Sequence, residues 1–440
     1  MSNLIVVPIF VADLNGWVHP ADVFISLHSS DENAFWLDRE IHPTESFSVI
    51  GASSEVLTDN QDFAVLRSAL TPQSQVDLPF SFRPGLVGYV AYDGTSKFMR
   101  IDRAMVFDHA NKMMYFIGEF DTQKQFDAWH HAALLRLALC GGEQAAYRMN
   151  NKALVASASR VRHEDSEYLA LIERAQSHIA SGDVYQLCLT NQIDMHVVGD
   201  SLLTFLQLRE SNPAPFAAYL KFGEQKIISS SPEQFIRVDE NNLISSKPIK
   251  GTRRRDADPI VDQQLADELR NDEKERAENL MIVDLMRNDF GRVAEPESVQ
   301  VEKLFDVESY ASVHQLVSTV QAKLASGLTA VDAFAAAFPG GSMTGAPKHR
   351  AMQIIDDLET KGSESGRGVY SGAIGYLTHA GVADFSMTIR TLVVDGQTAS
   401  IGVGGGITID SVAILELEET KLKAAALLRV LGSPDPWVRG

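Results

Sequence analysis

What most constrains this 440-residue chain is the way its apolar residues are cut into runs. Up to about residue 150 the runs are short and closed by turn residues. Leu86-Val87-Gly88-Tyr89-Val90-Ala91-Tyr92 stops at Asp93-Gly94, and Lys112-Met113-Met114-Tyr115-Phe116-Ile117 stops at Gly118. Such runs predict strands with helical interludes, the clearest over Phe126 to Leu139. Beyond a polar junction at 157–166 the spacing turns helical, as in Tyr168, Leu171, Ile172, Ala175 and Ile179 within Ser166 to Ser181. A long helical stretch is predicted over Val261 to Asp289, and a helix over Pro347 to Leu358 with proline in its first turn. Strands are predicted at Val369 to Leu377, Asp384 to Val394 and Ser400 to Val403, and a closing helix at Val412 to Leu431. Strands and helices mix throughout, so the class is α/β or α+β.

Composition removes several functions. Hydrophobic residues make up 45% and charged residues 22%, which is ordinary globular usage. At roughly 150 residues per domain, length alone suggests two or three domains. The formal charge of −19 argues against nucleic acid and anionic membrane as partners. A small anion remains possible where a local cationic pocket overrides the global field. Two cysteines, Cys140 and Cys188, build neither a disulfide framework nor a cysteine zinc site. The apolar Leu4 to Ala12 has no Lys or Arg before Arg39, so it reads as a buried strand rather than a signal peptide. A cytoplasmic protein is expected.

Familiar motifs fail. Gly340-Gly341-Ser342-Met343-Thr344-Gly345-Ala346-Pro347-Lys348 lacks a phosphate-loop ending, and Gly402-Val403-Gly404-Gly405-Gly406 lacks dinucleotide spacing. There is no H-E-x-x-H and no G-x-S-x-G. Helix-borne carboxylates remain. Glu275 and Glu278 share a face, and Glu416, Glu419 and Lys423 form a stripe on the closing helix. Each reads singly as a solvated face. Facing each other, the two would suit Mg²⁺, which needs few protein carboxylates. Pro248-Ile249-Lys250-Gly251-Thr252 ends a strand-like run, with Pro248, Lys250 and Thr252 on one face by alternation. It reads either as a basic edge strand or as a site for a nucleophilic lysine.

From Gly182 to Leu431 the chain resembles the chorismate-utilising enzymes, and within them the aminodeoxychorismate-forming branch. The resemblance runs through Gly182-Asp183-Val184-Tyr185-Gln186, Ser229-Ser230-Ser231-Pro232-Glu233, Pro248-Ile249-Lys250-Gly251-Thr252 and Glu278-Asn279-Leu280-Met281-Ile282-Val283-Asp284-Leu285. It continues through Val313-His314, the glycine-rich 339–348 segment, Tyr370-Ser371-Gly372, Ile389-Arg390-Thr391, and Gly404-Gly405-Gly406 ahead of Glu419-Thr420. The resemblance implies one large sandwich of two antiparallel β-sheets flanked by helices. Residues 1–150 would add strands to the same body as the 160–435 core.

The resemblance also implies roles. Lys250, where anthranilate synthases carry Ala, would add to C2 of chorismate so that ammonia can displace it at C4. Glu233 would be the general acid/base, with a raised pKa, and His314 an active-site histidine. Glu278 and Glu419 resemble Mg²⁺ ligands, with Glu275 and Glu416 around them. Arg390, Tyr370 and the N–H groups of Gly404, Gly405 and Gly406 resemble carboxylate-binding groups. Gly251, Thr252 and Lys423 fall beside the substrate. A nucleophilic Lys250 must be neutral, so burial with Arg390 or Arg253 nearby is expected to lower its pKa. Leu187 and Cys188 depart from the branch's usual Val and Asn. No Cys-His-Glu glutaminase module is legible, so ammonia is expected as free ammonium or from a separate glutamine amidotransferase subunit. Anthranilate synthase component I is the nearest alternative, isochorismate and salicylate synthases lie further off, and a non-catalytic paralogue is disfavoured by the filled catalytic positions.

Overall fold

The computed structural model describes residues 8–14, 16–70, 76–310, 313–360, 366–433 and 436–437. Leu4 to Val7, part of the expected N-terminal strand, lie outside them. The strand itself runs Ile9–Leu14 and is only half-buried, at the end of a sheet.

Two large sheets, of 12 and 10 strands among the described residues, form the body. Within both, neighbouring strands pair antiparallel. The first sheet begins with Ile9–Leu14, Met113–Glu119, Arg103–Asp108, Phe47–Ala52 and Asn33–Asp38. It continues through Phe216–Phe222, Gln225–Ser231, Thr391–Asp395, Thr398–Ile407 and Gln186–Val198. The second includes Ile249–Arg254, Val313–Lys323, Gln234–Val238, Ala383–Met387, Ala373–Thr378 and Gly85–Val90. Strands from the first 120 residues thus sit in both sheets. Between the sheets, Phe35, Leu37 and Val49 of the first pack in one buried cluster with Val87, Met99 and Ile374 of the second. Burial on both faces explains why Gly85–Val90 reads as a continuous apolar run rather than an alternation. Helices cover the outer faces, and no helix among the described residues is long and apolar enough to cross a membrane.

Two expected elements are broken in ways that matter. The stretch read as one helix is two, Pro259–Asn271 and Glu273–Gly291. Asp272 separates them in an extended conformation, and its carboxylate accepts the N–H of Glu275 as an N-cap at 3.1 Å. The stretch read as one strand over Asp384 to Val394 is also two. Ala383–Met387 belongs to the second sheet and Thr391–Asp395 to the first, so residues 388–390 cross from sheet to sheet. Arg390 makes that turn with φ 49°, which takes the chain out of the extended conformation.

Candidate active site

A second crossover runs beside the first. Gln225–Ser231 ends in the first sheet and Gln234–Val238 begins in the second, with Pro232 and Glu233 between them. The N–H of Met387 donates to Glu233 O at 3.0 Å, and the N–H of Ser230 donates to Arg390 O at 3.1 Å. Glu233 and Arg390 therefore stand on two tied crossovers. Glu233 is buried, and desolvation pushes its carboxyl up to about 7 despite hydrogen bonds from Ser342 and the backbone of Ile249 and the charge of Lys250. A carboxyl so placed can hold a proton near neutrality.

Lys250 follows Ile249 on the Ile249–Arg254 strand. The Lys250 ammonium meets Glu278 Oε2 at 3.2 Å, with its side chain only 14% exposed. The pairing carries a bulge between Lys250, opposite Leu316, and Thr252, opposite Gln315. Gly251 fills it at φ 76°, and a Cβ there would fall 2.7 Å from Leu269 and 2.9 Å from Glu275. This corrects the expected alternation. Leu316 and Gln315 point to opposite sides of the sheet, so Thr252 is turned away from Lys250 and is exposed. The Glu273–Gly291 helix is stapled to this strand, since Asn279 donates to Pro248 O at 3.3 Å and accepts from Ser318.

The state of Lys250 also differs from expectation. Burial alone would lower its pKa, but the Glu278 carboxylate, with Cys188 and Glu233 near, leaves it raised. The cations proposed to depress it are elsewhere. Arg253 is spent on Asp272 at 2.9 Å, Glu268 at 3.4 Å and Glu275 at 3.8 Å. On Arg390 burial is the one resolved influence, and it lowers the pKa. The structure gives the Arg390 guanidinium no hydrogen-bond or ion-pair partner among the described residues.

His314 does not stand free either. It is buried, with Nδ1 on the Ser309 hydroxyl at 2.8 Å and Nε2 on Asp262 Oδ1 at 2.9 Å. Asp262 is itself gripped by Arg255. With both ring nitrogens taken, His314 braces the Pro259–Asn271 helix against its strand rather than offering a free nitrogen.

Packed against Lys250 is the Thr398–Ile407 strand. A Cβ on Gly406 would lie 3.0 Å from Lys250 Nζ and 3.3 Å from Glu278 Oε2. One on Gly405 would lie 3.4 Å from Glu416 Oε2 and 3.5 Å from Lys423 Nζ. Gly404 O accepts from Lys423 Nζ at 2.8 Å. Its partner Thr391–Asp395 stops pairing at Ile401, so 402–407 is hydrogen-bonded along one side only, to Gln186–Val198. Alternate peptide groups there face away from any strand and are open to an anion. The ring of Tyr370 lies flat on this strand where a Cβ at Gly402 would be.

The two carboxylate stripes do face each other. Lys274 Nζ meets Glu416 Oε1 of the Ala413–Val430 helix at 3.0 Å and Glu278 Oε1 of its own helix at 3.8 Å. Ser411 donates to Glu416 at 2.8 Å. Glu419, whose side chain is 53% exposed, pairs with Lys423 at 2.9 Å, and although partial desolvation would raise its carboxyl, Lys423, Lys274 and Lys250 hold it below the ordinary range. Burial and the neighbouring Glu278 push Glu275 up. No three of His, Cys, Asp and Glu among the described residues are set to hold a metal by themselves. The donor chemistry nonetheless fits a hard cation, because carboxylate oxygens from two helices approach one another around shared lysine ammonium groups.

Some of the supporting residues went unassigned in the sequence. Arg367 pairs with Glu359 and donates to the carbonyls of Met343 at 2.6 Å and Cys188 at 2.7 Å, fixing the turn that brings Ser342 to Glu233. The Gly340-Gly341-Ser342-Met343 run marked that turn, but nothing in it named Ser342 as a partner of Glu233.

Two antiparallel sheets joined by chain crossovers at Glu233 and Arg390, with Lys250 held between Glu278 and a glycine strand, define the class as a two-sheet sandwich whose candidate site lies where the chain passes between sheets. The chain belongs to the chorismate binding enzymes, a family that matches residues 29–429. It is 43% identical over 408 residues to aminodeoxychorismate synthase of Streptomyces griseus, covering 88% of this chain and 55% of that protein. Against aminodeoxychorismate synthase component 1 of Salmonella typhimurium it is 40% identical over 397 residues, 87% of this chain and 85% of the other. The chain spans about half the length of the Streptomyces and plant aminodeoxychorismate synthases it matches. Among solved structures, anthranilate synthase component I of Streptococcus pneumoniae superposes with a TM-score of 0.72 at 28% identity, over 95% of this chain and 91% of that one.

Proposed function

We propose that the chain aminates chorismate at C4 with ammonia, giving 4-amino-4-deoxychorismate for p-aminobenzoate and folate synthesis in the cytoplasm. The reading is carried by the placement of Lys250 between Glu278 and the proton-holding Glu233, against Gly406 of the glycine strand. Neutral Lys250 adds to C2, both ring double bonds move along (C1=C2 to C1=C6 and C5=C6 to C4=C5), and the C4 hydroxyl leaves. Glu233 gives that hydroxyl its proton, so it departs as water. Ammonia then bonds to C4, both double bonds move back, the C2–nitrogen bond breaks to release neutral Lys250, and Glu233 recovers a proton from the new C4 ammonium. Lys250 must first release the proton that Glu278 helps it hold; a divalent cation held by Glu278 would supply positive charge that loosens that hold.

Arg390, without a protein partner among the described residues, suits the enolpyruvyl carboxylate, with Tyr370 and the open glycine peptides beside it. Glu278 and Glu419 would hold Mg²⁺, whose charge steadies the ring carboxylate. Ammonia comes as free ammonium or from a separate glutamine amidotransferase subunit, in keeping with relatives named component 1. The test is purified chain with chorismate, Mg²⁺ and ammonium at alkaline pH, separating para from ortho products. Anthranilate as the main product would overturn the reading, and turnover with glutamine alone would remove the separate subunit from it.

A further inference from the structure

The innermost groups of the cleft are assigned above, but its outermost cation is not. We propose that Lys274 is a tethered cation that clasps the two carboxylate helices across the cleft and gives way when a divalent cation binds. The inference rests on the reading of Glu278 and Glu419 as metal-holding residues.

Glu278 and Glu416 are nearly buried, with side chains 8% and 5% exposed. Buried carboxylates need counter-charge, because desolvated anions without it are costly. Lys250 supplies it to one oxygen of Glu278, Oε2. Lys274 reaches the other, Oε1, at 3.8 Å, and it also reaches Glu416 Oε1 at 3.0 Å. The second contact crosses the cleft. The Glu273–Gly291 helix packs on the Ile249–Arg254 and Val313–Lys323 strands of one sheet, and the Ala413–Val430 helix packs on the Thr398–Ile407 strand of the other. Lys274 thus joins elements carried by different sheets, Glu278 on one helix and Glu416 on the other, close enough to Glu419 to act on its carboxyl.

The two lysines differ in how they are held. Lys250 is 14% exposed and fixed beneath the glycine strand, whereas Lys274 is 48% exposed, on a long stem at the mouth. Lys274 itself is well hydrated once released, so the cost of its leaving lies in the bared Glu416 carboxylate, which a divalent cation nearby would offset. A divalent cation on Glu278 would repel an ammonium this close to the same carboxylate, and the exposed lysine is the one free to leave. The metal then takes over the clasp. Because the lysine competes for the carboxylates, it should weaken metal binding and stabilise the metal-free chain.

Titration calorimetry of MgCl₂ into the full chain, with thermal unfolding in EDTA and in Mg²⁺, tests this. Lys274→Met keeps the stem and removes the charge. It should bind Mg²⁺ about fivefold more tightly, the scale of one half-exposed ion pair. It should also melt lower than the parent chain in EDTA and regain the difference in Mg²⁺. Lys274→Gln should behave alike, which guards against a folding defect peculiar to one variant. Equal or weaker Mg²⁺ affinity in both variants would overturn the clasp alone. Mg²⁺ heat absent from the parent chain and from both variants would overturn the metal reading and the clasp with it.

Discussion

Replacing Glu233 with glutamine should cost activity and return stability, and the two effects have one cause. The carboxyl is buried, and desolvation lifts it from an ordinary 4.5 to about 7. The sign follows from proton binding. Below about 4.5 the group is protonated in both folded and unfolded chains and has no effect. Between 4.5 and 7 folding takes up a proton, so this group makes the folded state progressively less favoured as pH rises. Above 7 the folded chain carries a buried anion and the penalty is complete. At about 1.4 kcal/mol for each tenfold change in proton affinity, the interval corresponds to roughly 3 kcal/mol. Glutamine has the same shape and no such penalty. Urea unfolding of both proteins between pH 5 and pH 8 should show the variant gaining on the parent by up to that amount. Chorismate amination should meanwhile fall by roughly a hundredfold or more, the range lost when a positioned acid is removed. Parallel stability curves would refute the buried-carboxyl argument, and undiminished turnover would remove Glu233 from proton transfer.

Lys250→Ala should lose most para product while keeping chorismate affinity, since Arg390 and the glycine strand remain. Undiminished 4-amino-4-deoxychorismate with ammonium would make the lysine structural. Gly406→Ala places a methyl group 3.0 Å from Lys250 Nζ, a flexible tip that can shift, so turnover should fall more than melting temperature. Gly402→Ala meets the Tyr370 ring at 2.1 Å and should instead impair folding, measured as soluble yield and melting temperature. Activity should vanish in EDTA and return with Mg²⁺, and Glu419→Ala should raise the Mg²⁺ requirement. An unchanged requirement would take Glu419 out of the metal site.

The sequence disclosed elements better than it disclosed their breaks. Helical spacing located Ser166 to Ser181 and the closing helix to within a residue or so, because each buries one continuous stripe. The break at Asp272 has a local signal, an N-cap Asp with Glu275 three residues on, set within otherwise unbroken helical spacing. The break at Thr388–Arg390 carried none, since a strand that changes sheets keeps the same apolar text on both sides. The Lys250 environment was misjudged for the same physical reason. Arg253 lies three residues away in sequence, yet the bulge and the Glu273–Gly291 helix give it to acidic partners. Glu278, 28 residues along the chain, takes the ammonium instead.

That pattern says where the chemistry sits in this fold. Within a sheet, an inward-facing side chain is buried among neighbours on both sides, and a charged group there has no access to a ligand. At a crossover the strand leaves one sheet before joining the next, and its side chain faces the gap between them. Glu233 and Arg390 occupy two such positions, tied by backbone hydrogen bonds that fix their separation. Lys250 reaches the same gap from a bulge, a second device that breaks the pleat. Each therefore stands where regular pairing is interrupted, and the interruption is marked by a residue suited to it: Pro232 before Glu233 and Gly251 after Lys250, while Arg390 itself takes the positive φ. Regular periodicity finds the scaffold. The residues that depart from it, read together, point to the site.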